Sequence, residues 1–98
     1  MDTQKITRSE TEHAFRYVYR GPDGMPPAEL SGAIEGPHLW SADYTGVPAA
    51  YRGQGIARLL VERLVADAQQ AGVQIKPRCS YVSAQFAKNP DWAHLLGE

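Results

Sequence analysis

Hydrophobic and polar positions alternate in the first half of the chain. Residues 13–20, HAFRYVYR, alternate and are rich in aromatic residues, which predicts a half-buried strand. Residues 28–36, AELSGAIEG, and 39–47, LWSADYTGV, predict two more strands, and their short connections favour an antiparallel meander. Residues 1–12 show no apolar period, so we expect them to form a flexible lead-in.

From residue 55 onward the apolar positions follow a helical period. They are Ile56, Leu59, Leu60, Leu64, Val65 and Ala68. Gly72 is expected to end this helix in a left-handed conformation. Residues 73–82, VQIKPRCSYV, predict another strand, at an edge or interrupted because Pro77 lacks an N–H group. A second helix is expected to begin at Ser80 or Ser83.

Length, composition and charge limit the class of protein. A chain of 98 residues is expected to form one domain, here over residues 13–98. No apolar run approaches the length of a membrane span, and the polar N-terminus does not resemble a secretory signal, so we expect a cytoplasmic protein. The net charge of −1 gives no general attraction to nucleic acid or to an acidic membrane, so any anion site must be local.

Cysteine and histidine usage argues against a metal site. The single cysteine, Cys79, excludes an intramolecular disulfide and a cysteine-based zinc cluster. The three histidines lie far apart in the sequence and show no ligand spacing. We therefore expect no bound metal.

Two glycines stand directly before the long helix, in the stretch YRGQGIARLL of residues 51–60. The first N–H groups of a helix lack intrahelical partners and point at one spot. Gly53 and Gly55 permit a sharp turn and the close approach of a ligand. The helix dipole adds about half a positive charge, and Arg52 adds a full one. A diphosphate fits this description; the alternative is a plain helix start whose glycines serve only the turn.

Two other phosphate-binding motifs fit less well. A Walker loop ends in Gly-Lys-Ser/Thr, whereas Ile56 and Ala57 follow Gly55 here. A dinucleotide-binding fingerprint requires a third glycine where Arg58 stands, and an acidic residue where the next strand ends at Cys79. Neither motif is present.

The stretch VPAAYRGQGIARLLVERL, residues 47–64, resembles motif A of the GNAT-type N-acetyltransferase superfamily, in which an Arg/Gln-x-x-Gly-x-Gly/Ala turn binds the pyrophosphate of acetyl-coenzyme A. Arg52, Gly55 and Ala57 fall on the three motif positions. Residues 72–92 resemble the second half of a very short, single-domain, acetyltransferase-like branch of that superfamily. The matching positions there are Pro77, Cys79, Ser80, Tyr81, Val82, Lys88 and Pro90. The resemblance extends over roughly residues 28–96.

The resemblance implies an α/β fold of the GNAT type, a curved mixed sheet in which antiparallel N-terminal strands precede a helix, a strand and a second helix. The strand before the glycine turn and the strand ending at Cys79 would splay apart, and the pantetheine arm of acetyl-coenzyme A would lie between them along residues 43–47. Arg58, Arg78 and Lys88 are candidates for its remote phosphate. The predicted cofactor-binding residues are Val47, Arg52, Gly53, Gln54, Gly55, Ile56, Ala57, Arg58 and Lys88.

The activity implied by the resemblance is transfer of an acetyl group from acetyl-coenzyme A to an unidentified amine by direct attack. A free backbone N–H near residues 45–47 is expected to polarise the thioester carbonyl. The Cys79 thiol is a candidate acetyl acceptor, or else a small apolar filler. Tyr81 and Tyr44 are candidates to protonate the leaving thiolate, or else packed aromatics. With Thr45, these three residues complete the set of predicted catalytic side chains.

The chain departs from the pattern of the branch just before Val47. The branch commonly carries a His-Thr pair followed by an acidic residue, whereas this chain has Tyr44, Thr45 and Gly46. A histidine base and a carboxylate that orients an amine are therefore missing. The alternative function is a non-catalytic module that binds coenzyme A or another protein, and the sequence also leaves open a homodimer.

Overall fold

One five-stranded sheet carries the fold. The computed structural model describes residues 6–21, 26–51 and 53–97. The strands are β1 (Ile6–Glu10), β2 (Ala14–Tyr19), β3 (Ala28–Gly36), β4 (Leu39–Gly46) and β5 (Gln74–Pro77), and they lie side by side in that order. The first four pair in antiparallel fashion, and β5 joins β4 in parallel. The predicted mixed α/β architecture is confirmed.

The two α-helices come after β4 and after β5 in the chain. Helix α1 (Ile56–Ala71) connects β4 to β5 and packs mainly over β2 and β3, and α2 (Ser80–Lys88) follows β5. Short 3-10 helices cover Ala49–Tyr51 and Pro90–Leu95. None of the described helices is long and apolar enough to cross a membrane.

The apolar face of α1 packs against the sheet and forms the core with it. All six positions that the helical period predicts are buried, namely Ile56, Leu59, Leu60, Leu64, Val65 and Ala68. Gly72 ends the helix at a φ of 73°, in the left-handed region, as predicted. This packing fixes the first turn of α1 beside the end of β4.

The N-terminal strand corrects one prediction. The flexible lead-in expected over residues 1–12 is wrong for residues 6–10, because β1 pairs with β2 along its whole length. Its sequence, ITRSE, shows no apolar period because only Ile6 is apolar. The second residue that anchors it is Arg8, whose guanidinium lies 4.9 Å from the centre of the Trp40 ring and 5.6 Å from that of Phe15. An arginine packed on aromatic rings occupies a core position that a polarity pattern does not reveal.

Strand β5 is shorter than the predicted strand over residues 73–82. It ends at Pro77, which has no N–H group to continue the ladder. The Arg78 N–H then bonds back to the Lys76 carbonyl at 3.0 Å, and Ser80 begins α2. The chain thereby turns so that Cys79 precedes α2 at its N-cap position.

A β-bulge interrupts β4 just before its end. Gly32 of β3 faces Ala42, but its neighbour Ser31 faces Tyr44, so Asp43 is an extra residue in β4. Gly32 allows the two strands to approach at this point, because a Cβ atom there would overlap the Ser41 carbonyl oxygen. The bulge changes which residues of β4 face α1 from that point on.

Candidate active site

Strands β4 and β5 part halfway along β4. They pair only over residues 39–42 and 74–77. The last bond between the two segments runs from the Cys79 N–H to the Ala42 carbonyl at 2.9 Å. Beyond it β4 continues to Gly46 paired with β3 alone. The gap implied by the family resemblance is therefore present, and one edge of residues 43–47 faces it.

A cleft of about 370 Å³ lies at the mouth of this gap. Small-molecule sites typically enclose about 300–1,000 Å³, so the cleft lies at the lower end of that range. The cleft brings together seven predicted site residues from four places in the chain. They are Thr45 and Val47 at the end of β4, Gly53 and Gly55 in the turn, Ile56 and Ala57 in α1, and Tyr81 in α2.

The glycine turn leaves backbone donors at the cleft. Gly53 and Gly55 have φ angles of 83° and 76°, which an L-residue adopts only with strain, and Gly55 caps α1 without a side-chain hydrogen bond. The Leu59 N–H bonds to the Gly55 carbonyl at 3.1 Å, whereas the N–H groups of Ala57 and Arg58 bond to no acceptor among the described residues. Such donors, together with the helix dipole, favour a bound anion.

Of the two other predicted residues of the turn, the structure describes only Gln54. Arg52, expected to add a positive charge, lies outside the described residues, so its role stays a prediction. The Gln54 side chain turns away from the cleft and donates from Nε2 to the Ala50 carbonyl at 3.1 Å.

The three cations proposed for the remote phosphate stand outside the cleft wall. Arg58 Nε bonds to Glu62 Oε2 at 3.0 Å on the exposed side of α1. Arg78 Nη1 lies 3.1 Å from Glu35 Oε2. Lys88 occupies the last turn of α2, at the end opposite Cys79. Their contact with a phosphate stays a prediction.

The Cys79 sulfur lies at the inner end of the gap, where the segments of β4 and β5 part. Its Sγ lies 3.5 Å from the Thr45 hydroxyl oxygen. Burial raises the pKa of Cys79, but hydrogen bonds from the Thr45 hydroxyl and from the backbone N–H groups of Val82, Tyr81 and Thr45 together lower it below the ordinary value for a thiol. The Thr45 hydroxyl therefore lies beside the Cys79 sulfur at the gap.

The two candidate tyrosines lie on different sides of β4. Tyr81 lines the cleft, and the pKa of its hydroxyl is raised mainly by burial, against the opposing charge of Arg58, so it stays protonated at neutral pH. Tyr44 faces Ser31 on the opposite side of the sheet from Thr45 and is 54% exposed. The structure thus brings Cys79, Thr45 and Tyr81 together and places Tyr44 apart from them.

Sequence reasoning missed Tyr51 as a cleft residue. Its side chain is buried beneath the glycine turn, where its ring packs against Tyr19 and its hydroxyl accepts a hydrogen bond from the Gly21 N–H at 3.2 Å. The available signal was its position as the only aromatic residue in the connection between β4 and α1.

The contact between Thr45 and Cys79 predicts a measurable change in thiol reactivity. Replacing Thr45 by valine removes the hydroxyl that lowers the pKa of Cys79. We expect the pH midpoint of iodoacetamide alkylation to move upward, because less thiolate forms at a given pH. The exposed Thr7 of β1 provides the control, since Thr7→Val should leave the midpoint unchanged. An unchanged midpoint in Thr45→Val would contradict the contact.

The split sheet and the uncapped helix start are the architecture of a GNAT-type acetyltransferase. The sequence model of the GCN5-related N-acetyl-transferase family matches residues 16–95. Because this match covers most of the chain, the protein belongs to that family. A search of curated protein sequences finds no significant match. Membership confirms the resemblance seen in the sequence and supports an acetyltransferase-like function in general terms.

Proposed function

We propose that the protein is an acetyl-coenzyme A-dependent N-acetyltransferase that transfers the acetyl group to an amine by direct attack. One observation carries the proposal: the backbone donors that open α1, unpaired among the described residues, stand at the cleft beside the open edge of β4. The donors are the N–H groups of Ala57 and Arg58, and the open edge of β4 follows Ala42, where we assign the Thr45 N–H as a second donor. Their placement suits a ligand with a diphosphate at one end and a thioester carbonyl at the other.

The described residues fit the cofactor in size and in donor chemistry. The diphosphate would lie at the first turn of α1, where glycines keep side chains away from the amides. The pantetheine amides would pair with the open edge of β4 in the manner of an added strand. Val47 and Tyr51 would contact the arm from the cleft wall. When bound, acetyl-coenzyme A supplies an activated acetyl group.

Thr45 and Tyr81 supply the chemistry that acetyl transfer requires of the protein. As a neutral amine bonds to the carbonyl carbon, negative charge develops on the carbonyl oxygen, and we assign the Thr45 N–H, on the open edge of β4, to stabilise it. The carbon–sulfur bond then breaks, and the departing thiolate needs a proton. Tyr81 provides a protonated hydroxyl in the cleft, because burial raises the pKa of that group.

Two measurements test the proposal: binding of acetyl-coenzyme A to the protein, and transfer of its acetyl group to an amine. Native mass spectrometry of the purified protein with acetyl-coenzyme A should detect the complex, and release of free thiol should depend on an added amine. Complex formation without product over a broad panel of amines and peptides would favour the second candidate, a coenzyme A-binding module without turnover. The missing histidine and acidic residue around Tyr44 and Gly46 favour that candidate.

Absence of binding would contradict both candidates and leave a protein-interaction module. Thermal melting tests coenzyme A binding independently, because a ligand at about 100 times its dissociation constant adds about 2.7 kcal/mol to the free energy of unfolding. Cys79→Ala separates direct attack from transfer through the thiol. Direct attack predicts that the variant keeps most of its activity. A thiol route predicts that the wild-type protein carries an acetyl group on Cys79 and that the variant loses both this adduct and the activity.

A further inference from the structure

Strand β1 lies at one end of the sheet, and among the described residues no strand pairs with its side away from β2. The other end of the sheet is covered. There the Gly97 N–H bonds to the Ile75 carbonyl of β5 at 2.8 Å, and Gln74 Nε2 donates to the Leu96 carbonyl at 3.3 Å. An open edge strand can pair with a strand of another chain. The described part of the fold therefore offers the β1 end of its sheet for such pairing.

The hydrogen bonds on the two sides of β2 alternate. The Thr11 N–H bonds to the Ala14 carbonyl at 2.8 Å, on the side of β1, and the Ile34 N–H bonds to the His13 carbonyl at 2.9 Å, on the side of β3. Hydrogen-bonded pairs recur at every second residue of an antiparallel ladder. Even-numbered residues of β2 therefore bond to β1, and its odd-numbered residues bond to β3.

The same alternation shows which backbone groups β1 presents at its open side. Ile6, Arg8 and Glu10 face odd-numbered residues of β2, so their N–H and C=O groups point away from β2. The Ile6 carbonyl accepts a bond from Arg63 Nη1 at 3.4 Å. The backbone groups of Arg8 and Glu10 have no partner in the part of the chain that the structure describes. These two residues can thus bond to an added strand.

The side chains of these two residues carry opposite charges. Arg8 packs on the core rings of Phe15 and Trp40, and Glu10, two residues further on, shares its face of the sheet and forms an ion pair with it. When two copies of β1 pair in antiparallel fashion about Ser9, Arg8 of each copy faces Glu10 of the other. Opposite charges directly across a strand pair stabilise it.

Charge also excludes the neighbouring registers. Pairing about Arg8 sets the two Arg8 side chains opposite each other, and pairing about Glu10 does the same with the two carboxylates. Like charges directly opposite are destabilising. Among the registers that use the free backbone groups of Arg8 and Glu10, the one centred on Ser9 is therefore favoured.

The surroundings of β1 leave room for a second copy. Thr7 and Ser9 are exposed on the face of the sheet away from α1. Helix α1 packs mainly over β2 and β3, so the helices of two paired copies would not meet above β1. The cleft lies beyond β4, at the other half of the sheet, and stays open when β1 is paired.

We propose that two copies of the protein pair through β1 in antiparallel fashion, with Ser9 opposite Ser9. Five strands from each copy then form one continuous sheet. Arg8 and Glu10 of each copy exchange backbone bonds with Glu10 and Arg8 of the other, and their side chains form ion pairs across the junction. The contact is short, so the dimer is in equilibrium with the monomer.

A cysteine at the symmetry axis tests the register. The two Ser9 residues form a non-hydrogen-bonded pair, whose Cα atoms lie about 4.5 Å apart, within the range of a disulfide. In a Cys79→Ala background, Ser9→Cys should give a disulfide-linked dimer on oxidation with diamide. Thr7→Cys is the matched control, because it is equally exposed on the same face of β1 but lies about 13 Å from its counterpart. It should cross-link at least about tenfold more slowly, and equal rates would overturn the register.

Self-association of the protein without added cysteines gives a second test. Sedimentation equilibrium from micromolar to millimolar concentration should show a monomer and a dimer. Glu10→Lys should raise the dimer Kd about tenfold, because both charge pairs across the junction become repulsive. Asp91→Lys makes the same charge change at an exposed residue of the 3-10 helix Pro90–Leu95 and should leave Kd unchanged.

Neither measurement depends on coenzyme A or on acetyl transfer, so this inference and the proposed function fail separately. A wild-type protein that stays monomeric at every concentration contradicts the dimer. A dimer whose Kd is the same in Glu10→Lys as in wild type forms through another surface, and that result also overturns pairing through β1.

Discussion

Replacing Gly55 by alanine is expected to weaken coenzyme A binding by about tenfold or more. Gly55 has a φ of 76°, a conformation that costs an L-residue about 1–2 kcal/mol. Relief of that strain would turn the first amides of α1 away from the cleft, and the new methyl group would enter the space that Gly55 lines. Isothermal titration calorimetry with coenzyme A measures the change.

The opposite end of α1 offers a matched control. Gly72 has a φ of 73°, and a Cβ atom there would meet nothing within 4 Å. Gly72→Ala should therefore cost similar backbone strain while leaving coenzyme A affinity unchanged. Equal losses of affinity in both variants would show that the Gly55 effect is one of stability, and wild-type affinity in Gly55→Ala would contradict the assigned diphosphate site.

The second large effect is a loss of stability expected from a substitution opposite the β4 bulge. Gly32→Ala should destabilise the protein by about 3 kcal/mol, because the methyl group would overlap the Ser41 carbonyl oxygen and approach the Phe15 ring to 2.7 Å. For a domain of this size that loss lowers Tm by more than about 10 °C. Thermal melting followed by circular dichroism measures it.

Gly36 lies in the same strand and serves as the control for this substitution. A Cβ atom at Gly36 would meet nothing within 4 Å, so Gly36→Ala should leave Tm nearly unchanged. A small and equal shift in the two variants would mean that β3 and β4 do not approach each other closely at the bulge.

The fold was predictable wherever one face of an element is apolar. Strands β2, β3 and β4 and the buried face of α1 follow the periods read from the sequence. Strand β1 was not predictable, because Arg8 takes a core position through contacts with distant rings. The bulge was not predictable either, because it depends on how Gly32 meets Ser41 across two strands.

Some residues of the candidate site were likewise predictable from local sequence patterns, and others were not. The glycine turn is a local signal, so the residues from Gly53 to Ala57 that line the cleft were predictable. Strict alternation from Ala42 would place Tyr44 on the α1 face, and the bulge places Thr45 there instead. Tyr51 acquires its place only from tertiary contacts, with Tyr19 and Gly21. No local pattern reports such contacts.

The most direct test of the anion site is an amide chemical-shift titration of the labelled protein, with coenzyme A compared against pantetheine. Pantetheine lacks the diphosphate. The account predicts that coenzyme A moves the amides of Gly53, Gly55, Ala57 and Arg58 strongly, and that pantetheine leaves them nearly in place while still moving Thr45. If saturating coenzyme A leaves these four amides unmoved, the diphosphate does not bind at the start of α1.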